Sequence, residues 1–151
     1  MTRHYTAAGA AAGAIIVAAG AVVATLGAAT AHADIVGDFK SPTGDVYCQM
    51  ALNNGTASVA CEGGGPYTGP APDCPHGNWG DRFYLTQGAV PIVACHTDTI
   101  RSNQAQAPVL FFGQTQSVGD ITCDSELSGI TCTDGSTGRF FSMSAAANTL
   151  G

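Results

Sequence analysis

Six cysteines stand at positions 48, 61, 74, 95, 123 and 132, and no two of them are close enough to make Cys-x-x-Cys. That spacing disfavours a zinc site or a thioredoxin-like redox motif, both of which need paired thiols two residues apart. The other common role for six cysteines in a short chain is three disulfides, which persist only in an oxidising compartment. The N-terminus agrees with such a compartment. Arg3 and His4 precede a run from Thr6 to Thr30 made almost wholly of Ala, Gly, Val, Ile and Leu, and Ala31-His32-Ala33 places small residues where a signal peptidase reads them. We therefore expect residues 1–33 to be a secretory signal cleaved before Asp34, in place of an uncleaved membrane anchor. No Cys follows the cleavage site to take a lipid, and Arg3 alone does not make a twin-arginine signal.

Removal of the leader changes the arithmetic of the chain. The 151 residues carry 5 Lys+Arg and 11 Asp+Glu, with 45% hydrophobic residues. The 118 residues from Asp34 onward keep all six cysteines, four basic and all eleven acidic side chains, a formal charge of −7. Nucleic-acid binding is excluded, because affinity for phosphate rests on clustered Lys and Arg and only Lys40, Arg82, Arg101 and Arg139 remain. Polybasic membrane attachment is excluded for the same reason. We expect one exported domain over 34–151, a monomer with no membrane span after cleavage, and a modest core that needs covalent staples.

The local pattern is that of hairpins. Asn54-Gly55 between alternating segments is the signal for a two-residue type I′ turn, since both residues tolerate positive φ. Counting outward from that turn sets Asn53 opposite Thr56 and Cys48 opposite Cys61, with Cys48, Met50 and Leu52 sharing a face with Ala57, Val59 and Cys61. Cys48 and Cys61 then occupy a non-hydrogen-bonded pair, where Cα atoms are roughly 4.5 Å apart, within disulfide reach. Such a bridge is worth about 3 kcal/mol in the chain-entropy model. A second hairpin turns near Glu126-Leu127-Ser128-Gly129. A plain loop at Leu127-Ser128 sets Cys123 opposite Cys132, whereas a bulge at Gly129 shifts them by one. By elimination Cys74 pairs with Cys95.

Residues 62–80, with Gly63-Gly64-Gly65-Pro66 and Pro70, Pro72 and Pro75, read as a long loop pinned by Cys74. It carries Tyr67, His76 and Trp79, the candidate binding residues. Beyond it, Phe83–Thr86, Ile92–Cys95, Val109–Phe112, Thr115–Val118 and Phe140–Met143 read as strands, Asp98–Ala107 as a helical turn, and Ser144–Leu150 as a short terminal helix. The whole predicts a mainly β fold: a small disulfide-stapled antiparallel sandwich or barrel of seven to eight short strands with minimal helix.

Catalytic motifs are missing. The chain has no Gly-x-Ser-x-Gly, His-Glu-x-x-His, Walker loop or Gly-x-Gly-x-x-Gly. Only His76 and His96 follow the leader, and with Asp81 and Asp98 they are the sole basis for a hydrolase or metal enzyme. Cys95-His96-Thr97-Asp98 reads better as a turn cap, Asp98 accepting backbone N–H bonds. We assign no catalytic residue, no metal and no cofactor.

Several blocks together carry a resemblance: Ser41-Pro42-Thr43-Gly44-Asp45-Val46-Tyr47-Cys48, Val59-Ala60-Cys61-Glu62, Gly119-Asp120-Ile121-Thr122-Cys123-Asp124-Ser125-Glu126 and Gly129-Ile130-Thr131-Cys132. The chain resembles small exported proteins of mycobacteria and related actinobacteria. Asp45 and Val46 depart from the Asn-Ile more usual there. The resemblance implies an exported or envelope-associated domain of uncharacterised function and brings no catalytic residue. The expected activity is recognition of a protein or envelope component by a non-enzymatic module.

Overall fold

A computed structural model describes residues 34–75 and 79–151. Two five-stranded antiparallel meanders face each other. Sheet A runs in chain order through β1 (Asp34–Lys40), β2 (Val46–Asn53), β3 (Thr56–Gly63), β4 (Trp79–Thr86) and β5 (Ile92–His96); sheet B likewise holds β6 (Thr115–Val118), β7 (Ile121–Glu126), β8 (Gly129–Asp134), β9 (Phe140–Met143) and β10 (Asn148–Leu150). A single 3-10 turn, Ile100–Asn103, lies in the segment that joins the sheets.

The two central hairpins follow from local chemistry. Asn54 and Gly55 take φ of +48° and +82°, and β2 pairs β3 with Asn53 on Thr56 and Cys48 on Cys61, the register read from the turn. Glu126 pairs Gly129 and Cys123 pairs Cys132, so the second hairpin is the unbulged one. Disulfides join Cys48–Cys61, Cys74–Cys95 and Cys123–Cys132, with Cα separations of 4.1, 5.5 and 3.9 Å. Each bridge lies within one sheet or between that sheet and its own loop; none runs from sheet A to sheet B.

Alternate residues of both sheets fill the space between them. Phe39, Met50, Val59, Phe83 and Leu85 of sheet A meet Ile121, Ile130, Phe141 and Met143 of sheet B, all buried. The two cross-strand bridges lie against each other at the centre, the sulfurs of Cys48, Cys61 and Cys132 mutually within 4.8 Å. One end of the sandwich is tied by Asp134, whose carboxylate accepts from Ser136 N and Oγ at 2.9 and 2.7 Å, from Thr137 Oγ1 at 2.9 Å and, across to sheet A, from Gly88 N at 2.7 Å.

Those donors set the acidity of Asp134. The Ser136 hydroxyl contributes most, burial opposes it, and the Gly88, Ser136 and Thr137 bonds reinforce it, so the carboxyl drops from 3.8 to about 2. A carboxyl with a depressed folded pKa stabilises the fold fully above its unfolded value, and that stabilisation disappears as pH falls through the folded one. The urea midpoint is therefore expected to fall between about pH 4 and pH 2 as this contribution is withdrawn. Asp134→Asn, which turns an amide N–H toward donors, should already be destabilised at pH 7. The gap between the two proteins should close toward pH 2; a constant gap would show that Asp134 does not supply this dependence.

The structure corrects several sequence expectations. Among the described residues there are ten strands, not seven to eight, and the sheets do not close into a barrel. The additional strands are β1 and β10, both at sheet edges, where a Gly or polar residue is tolerated because only one side is hydrogen-bonded. Ser144–Leu150 is not a helix: Ser144 takes N–H bonds from Ala146 and Ala147 on its hydroxyl, which turns the chain back to pair as β10. Val109–Phe112 is not a strand either. Val109 makes one isolated bridge to Lys40, and Phe111–Gln114 forms a turn with both Phe rings half exposed or more.

Candidate functional site

Of the residues singled out in sequence, the structure describes Tyr67, the backbone of Trp79, and His96. The connection read as 62–80 is shorter, since β3 runs to Gly63 and β4 starts at Trp79; Tyr67 within it packs edge-on against Phe83, ring centroids 5.4 Å apart, and its backbone bridges Asn148. Trp79 opens β4 opposite His96, and only its backbone is described; His76 lies outside the described residues.

His96 belongs to a polar cluster on the outer side of sheet A. The β3–β4 register places Glu62 beside Arg82 on the face opposite Cys61 and Phe83. Glu62 is almost fully buried there, and Arg82 reaches its Oε1 through Nε at 2.7 Å and a terminal nitrogen at 2.6 Å. Thr99 Oγ1 donates to Glu62 Oε2 at 2.6 Å and Ile100 N to Oε1 at 3.3 Å. His96 Nε2 lies 2.6 Å from Asp81 Oδ1, while Nδ1 contacts the Asp98 carbonyl and stands 3.7 Å from Glu62 Oε1. The cluster clamps the segment after β5 onto the sheet. Its cap is Thr99, whose hydroxyl accepts from Arg101 N, and not Asp98, which takes Arg82 on its carbonyl and carboxylate. A ring held on two sides in this way positions a loop and presents no free base to a substrate.

The surface carries several hollows: those beside Asn54, Ile92 and Arg101 hold about 420, 410 and 590 Å³, and a smaller, more enclosed one lies at the end of the sandwich away from Asp134. A cleft of about 90 Å³ opens between the β1–β2 loop, the β7–β8 turn, the start of the β9–β10 connection and Phe112. Its wall on one side is the Ser41–Asp45 loop. Pro42 suits the second position of the turn closed by the Gly44 N to Ser41 O bond, 2.9 Å. Ser41 Oγ accepts from Val46 N at 3.1 Å and donates to Asp45 Oδ1 at 2.8 Å; Thr43 donates to the same oxygen. Burial raises the Asp45 carboxyl, but the Thr43 and Ser41 hydroxyls and nearby backbone N–H groups outweigh it, so the group sits below the ordinary 3.8.

The opposite wall is Gly129, Ile130 and Met143, with Ser125 at the back. Strand β7 points Ile121, Cys123 and Ser125 inward, so a hydroxyl occupies the position where the period-two pattern calls for an apolar side chain. Ser125 is 1% exposed and its Oγ has no hydrogen-bond partner among the described residues, the one such buried side-chain atom there. Buried polar atoms are nearly always paired, so Ser125 Oγ has hydrogen-bonding capacity that no described protein group meets. At the mouth, Phe112 is 48% and Leu127 88% exposed.

Sequence reasoning quoted Ser41, Asp45, Ser125 and Gly129 only as parts of recurring blocks and missed that they converge. The legible signal was Ser125 itself, a polar residue on the apolar face of a strand. Among the described residues the one group of three His, Cys, Asp or Glu with ligand atoms within 4.8 Å is Cys48, Cys61 and Cys132, all held in disulfides. No described helix is long and apolar enough to cross a membrane.

A family model described as "Family of unknown function (DUF6636)" matches residues 18–150. No curated protein and no solved structure matches the chain.

Proposed function

We propose that this chain, which belongs to the family of unknown function DUF6636, is an exported, envelope-associated binding module whose ligand seat is the cleft at Ser125. The observation that carries the reading is the unpaired hydroxyl of Ser125, buried behind the lining of a small cleft. An isolated buried hydroxyl costs about 1–3 kcal/mol, a penalty that a ligand bonding it would offset. Export is supported by the apolar leader with its Ala31-His32-Ala33 site, by three disulfides with no free cysteine, and by the resemblance to exported proteins of mycobacteria and related actinobacteria.

Two measurements test this. Expressed with its leader in an actinobacterial host, the chain should appear outside the cytoplasm beginning at Asp34; an uncleaved cytosolic chain overturns export. For the binding role, purified protein should be retained on isolated cell envelopes, and Ser125→Leu, which fills the back of the cleft, should reduce retention at least fivefold. Ser128→Trp, placed on the exposed turn at the mouth, provides a second block that leaves the core untouched. Equal retention of all three proteins would remove the cleft from the function.

A further inference from the structure

The outer face of sheet A carries a second site, independent of the cleft at Ser125. Two of its hollows, of about 410 and 420 Å³, share Ser58 and Tyr84 and so form one trough. Each falls in the range of roughly 300–1,000 Å³ that small-molecule sites occupy. The strand register explains its shape. Ile35 pairs Ala51, which pairs Ser58, and Ala60 pairs Tyr84, which pairs Ile92. Small side chains therefore line the floor on β2 and β3, while isoleucines stand on the two edge strands. Those edges are four strand spacings apart, roughly 19 Å. Ile35 and Ile92 are each more than half exposed, although isoleucine is among the residues proteins most often bury.

The two halves of the trough differ in chemistry. One is mostly apolar, with Ile35, Ala51, Ala60, Ile92, Ala94 and Ile100 in its lining. Its one charge, Arg82, is held by Glu62 at 2.6 Å and Asp98 at 3.2 Å. The other half, beside the Asn54-Gly55 turn, is lined by amides and hydroxyls alone: Asn53, Asn54, Thr56, Ser58, Tyr84 and Thr86. Ser58 lies where the halves join, is 8% exposed, and its Oγ makes no hydrogen bond among the described residues. A hydroxyl so nearly buried usually has a partner. Charge complementarity narrows the occupant. An anionic head would find no free cation, and a cationic one no carboxylate in the lining; the acids beside it in register, Asp38 and Glu62, are engaged by Tyr47 and Arg82. A wholly apolar ligand would leave Ser58 Oγ unpaired. A bare sugar would leave the isoleucines in water. We propose that the trough binds one molecule of a neutral amphiphile, a sugar or polyol head on an aliphatic chain. The head bonds Ser58 and the Asn and Thr side chains around it, and the chain lies over Ala51 and Ala60 between Ile35 and Ile92. Tyr84, with an apolar ring and a polar tip, serves both halves.

The test is a titration of the ¹⁵N-labelled protein, followed through its amide resonances, with three probes kept below their micelle-forming concentrations: n-octyl β-D-glucopyranoside, methyl β-D-glucopyranoside and sodium n-octyl sulfate. Octyl glucoside is expected to shift Ala51, Ser58, Tyr84 and Thr86 saturably, with Kd at least tenfold below those of the other two. Ala60→Leu, which raises the floor, and Ser58→Ala, which removes the nearly buried hydroxyl, should each weaken it about fivefold or more. Thr86→Val, close in shape and on the outer face, keeps the test readable if Ala60→Leu disturbs the sheet, and should weaken octyl glucoside about threefold or more. Octyl sulfate binding as tightly as octyl glucoside overturns the neutral head, and methyl glucoside binding as tightly overturns the chain. Shifts confined to Gly129 and Ile130, or no shift on this face with any probe, overturn the site itself. Envelope retention of Ser125→Leu reads the first cleft separately, so either site can fail without the other.

Discussion

Arg82→Ala is expected to lower stability by about 3–5 kcal/mol, because it strands the Glu62 carboxylate inside the protein without its partner. Glu62 and Arg82 side chains are 2% and 16% exposed, so water screens their contact far less than it does a surface pair. On a domain of this size the loss corresponds to a fall in Tm of roughly 10–20 °C. Asp98 offers the contrast. It touches the same guanidinium at 3.2 Å but is 78% exposed, and Asp98→Ala should stay within about 1 kcal/mol. Replacing both buried partners with apolar residues, Glu62→Leu with Arg82→Met, should recover much of the loss, since the penalty lies in the unpaired charge. A melting curve for Arg82→Ala that overlays the wild type would show that Glu62 finds water instead.

Gly129→Ala is expected to be comparably severe and to reach the cleft as well. Gly129 sits at φ +132°, and a Cβ there would come 2.2 Å from the Met143 carbonyl oxygen and 2.9 Å from Ser144 Cβ. Backbone strain at a non-glycine residue contributes about 1–3 kcal/mol, and overpacking against a strand that cannot yield adds a similar amount. The relief available is for the β7–β8 turn to swing away from β9, which parts the wall made by Gly129 and Met143. Denaturant midpoint and envelope retention should therefore fall together. Gly113→Ala is the control: φ is +80° with nothing within 4 Å, so only conformational strain remains. If Gly129→Ala costs no more than Gly113→Ala, the contact with Met143 is not what requires glycine.

What could be read in the sequence was whatever a few adjacent residues decide. Asn54-Gly55 determines a turn, the turn determines a register, and the register brings Cys48 to Cys61 without help from distant parts of the chain. The second hairpin needed one choice that spacing left open, and the structure resolves it in favour of the plain loop. β1 and β10 were invisible because their pairing comes from neighbours: Gly37 and the irregularity beside it break the alternation of β1, and β10 depends on the Ser144 turn. Phe111-Phe112 shows the opposite error, an apolar pair whose partners never arrive. The cleft was illegible for a stronger reason. The Ser41–Val46 loop, Phe112, Ser125–Ile130 and Met143–Ala145 lie on separate stretches, and only the stacking of the two sheets makes them neighbours.

The placement of the disulfides has a mechanical meaning. With every bridge confined to one sheet or its loop, the halves of the sandwich are covalently continuous only through the chain that runs from β5 to β6. A load applied between β1 and β10 meets non-covalent resistance alone at the interface, from core side chains, the Asp134 bond to Gly88, the Gln87 bond to Asp120 and the Asn148 bonds to Gly63 and Gly65 among others. Past that barrier the spans 48–61, 74–95 and 123–132 are short-circuited by sulfur and add almost nothing to the length the chain can pay out. Under tension the protein behaves as two stapled centres on one tether, with the edge strands β1 and β10, outside every disulfide loop, the first parts able to peel away.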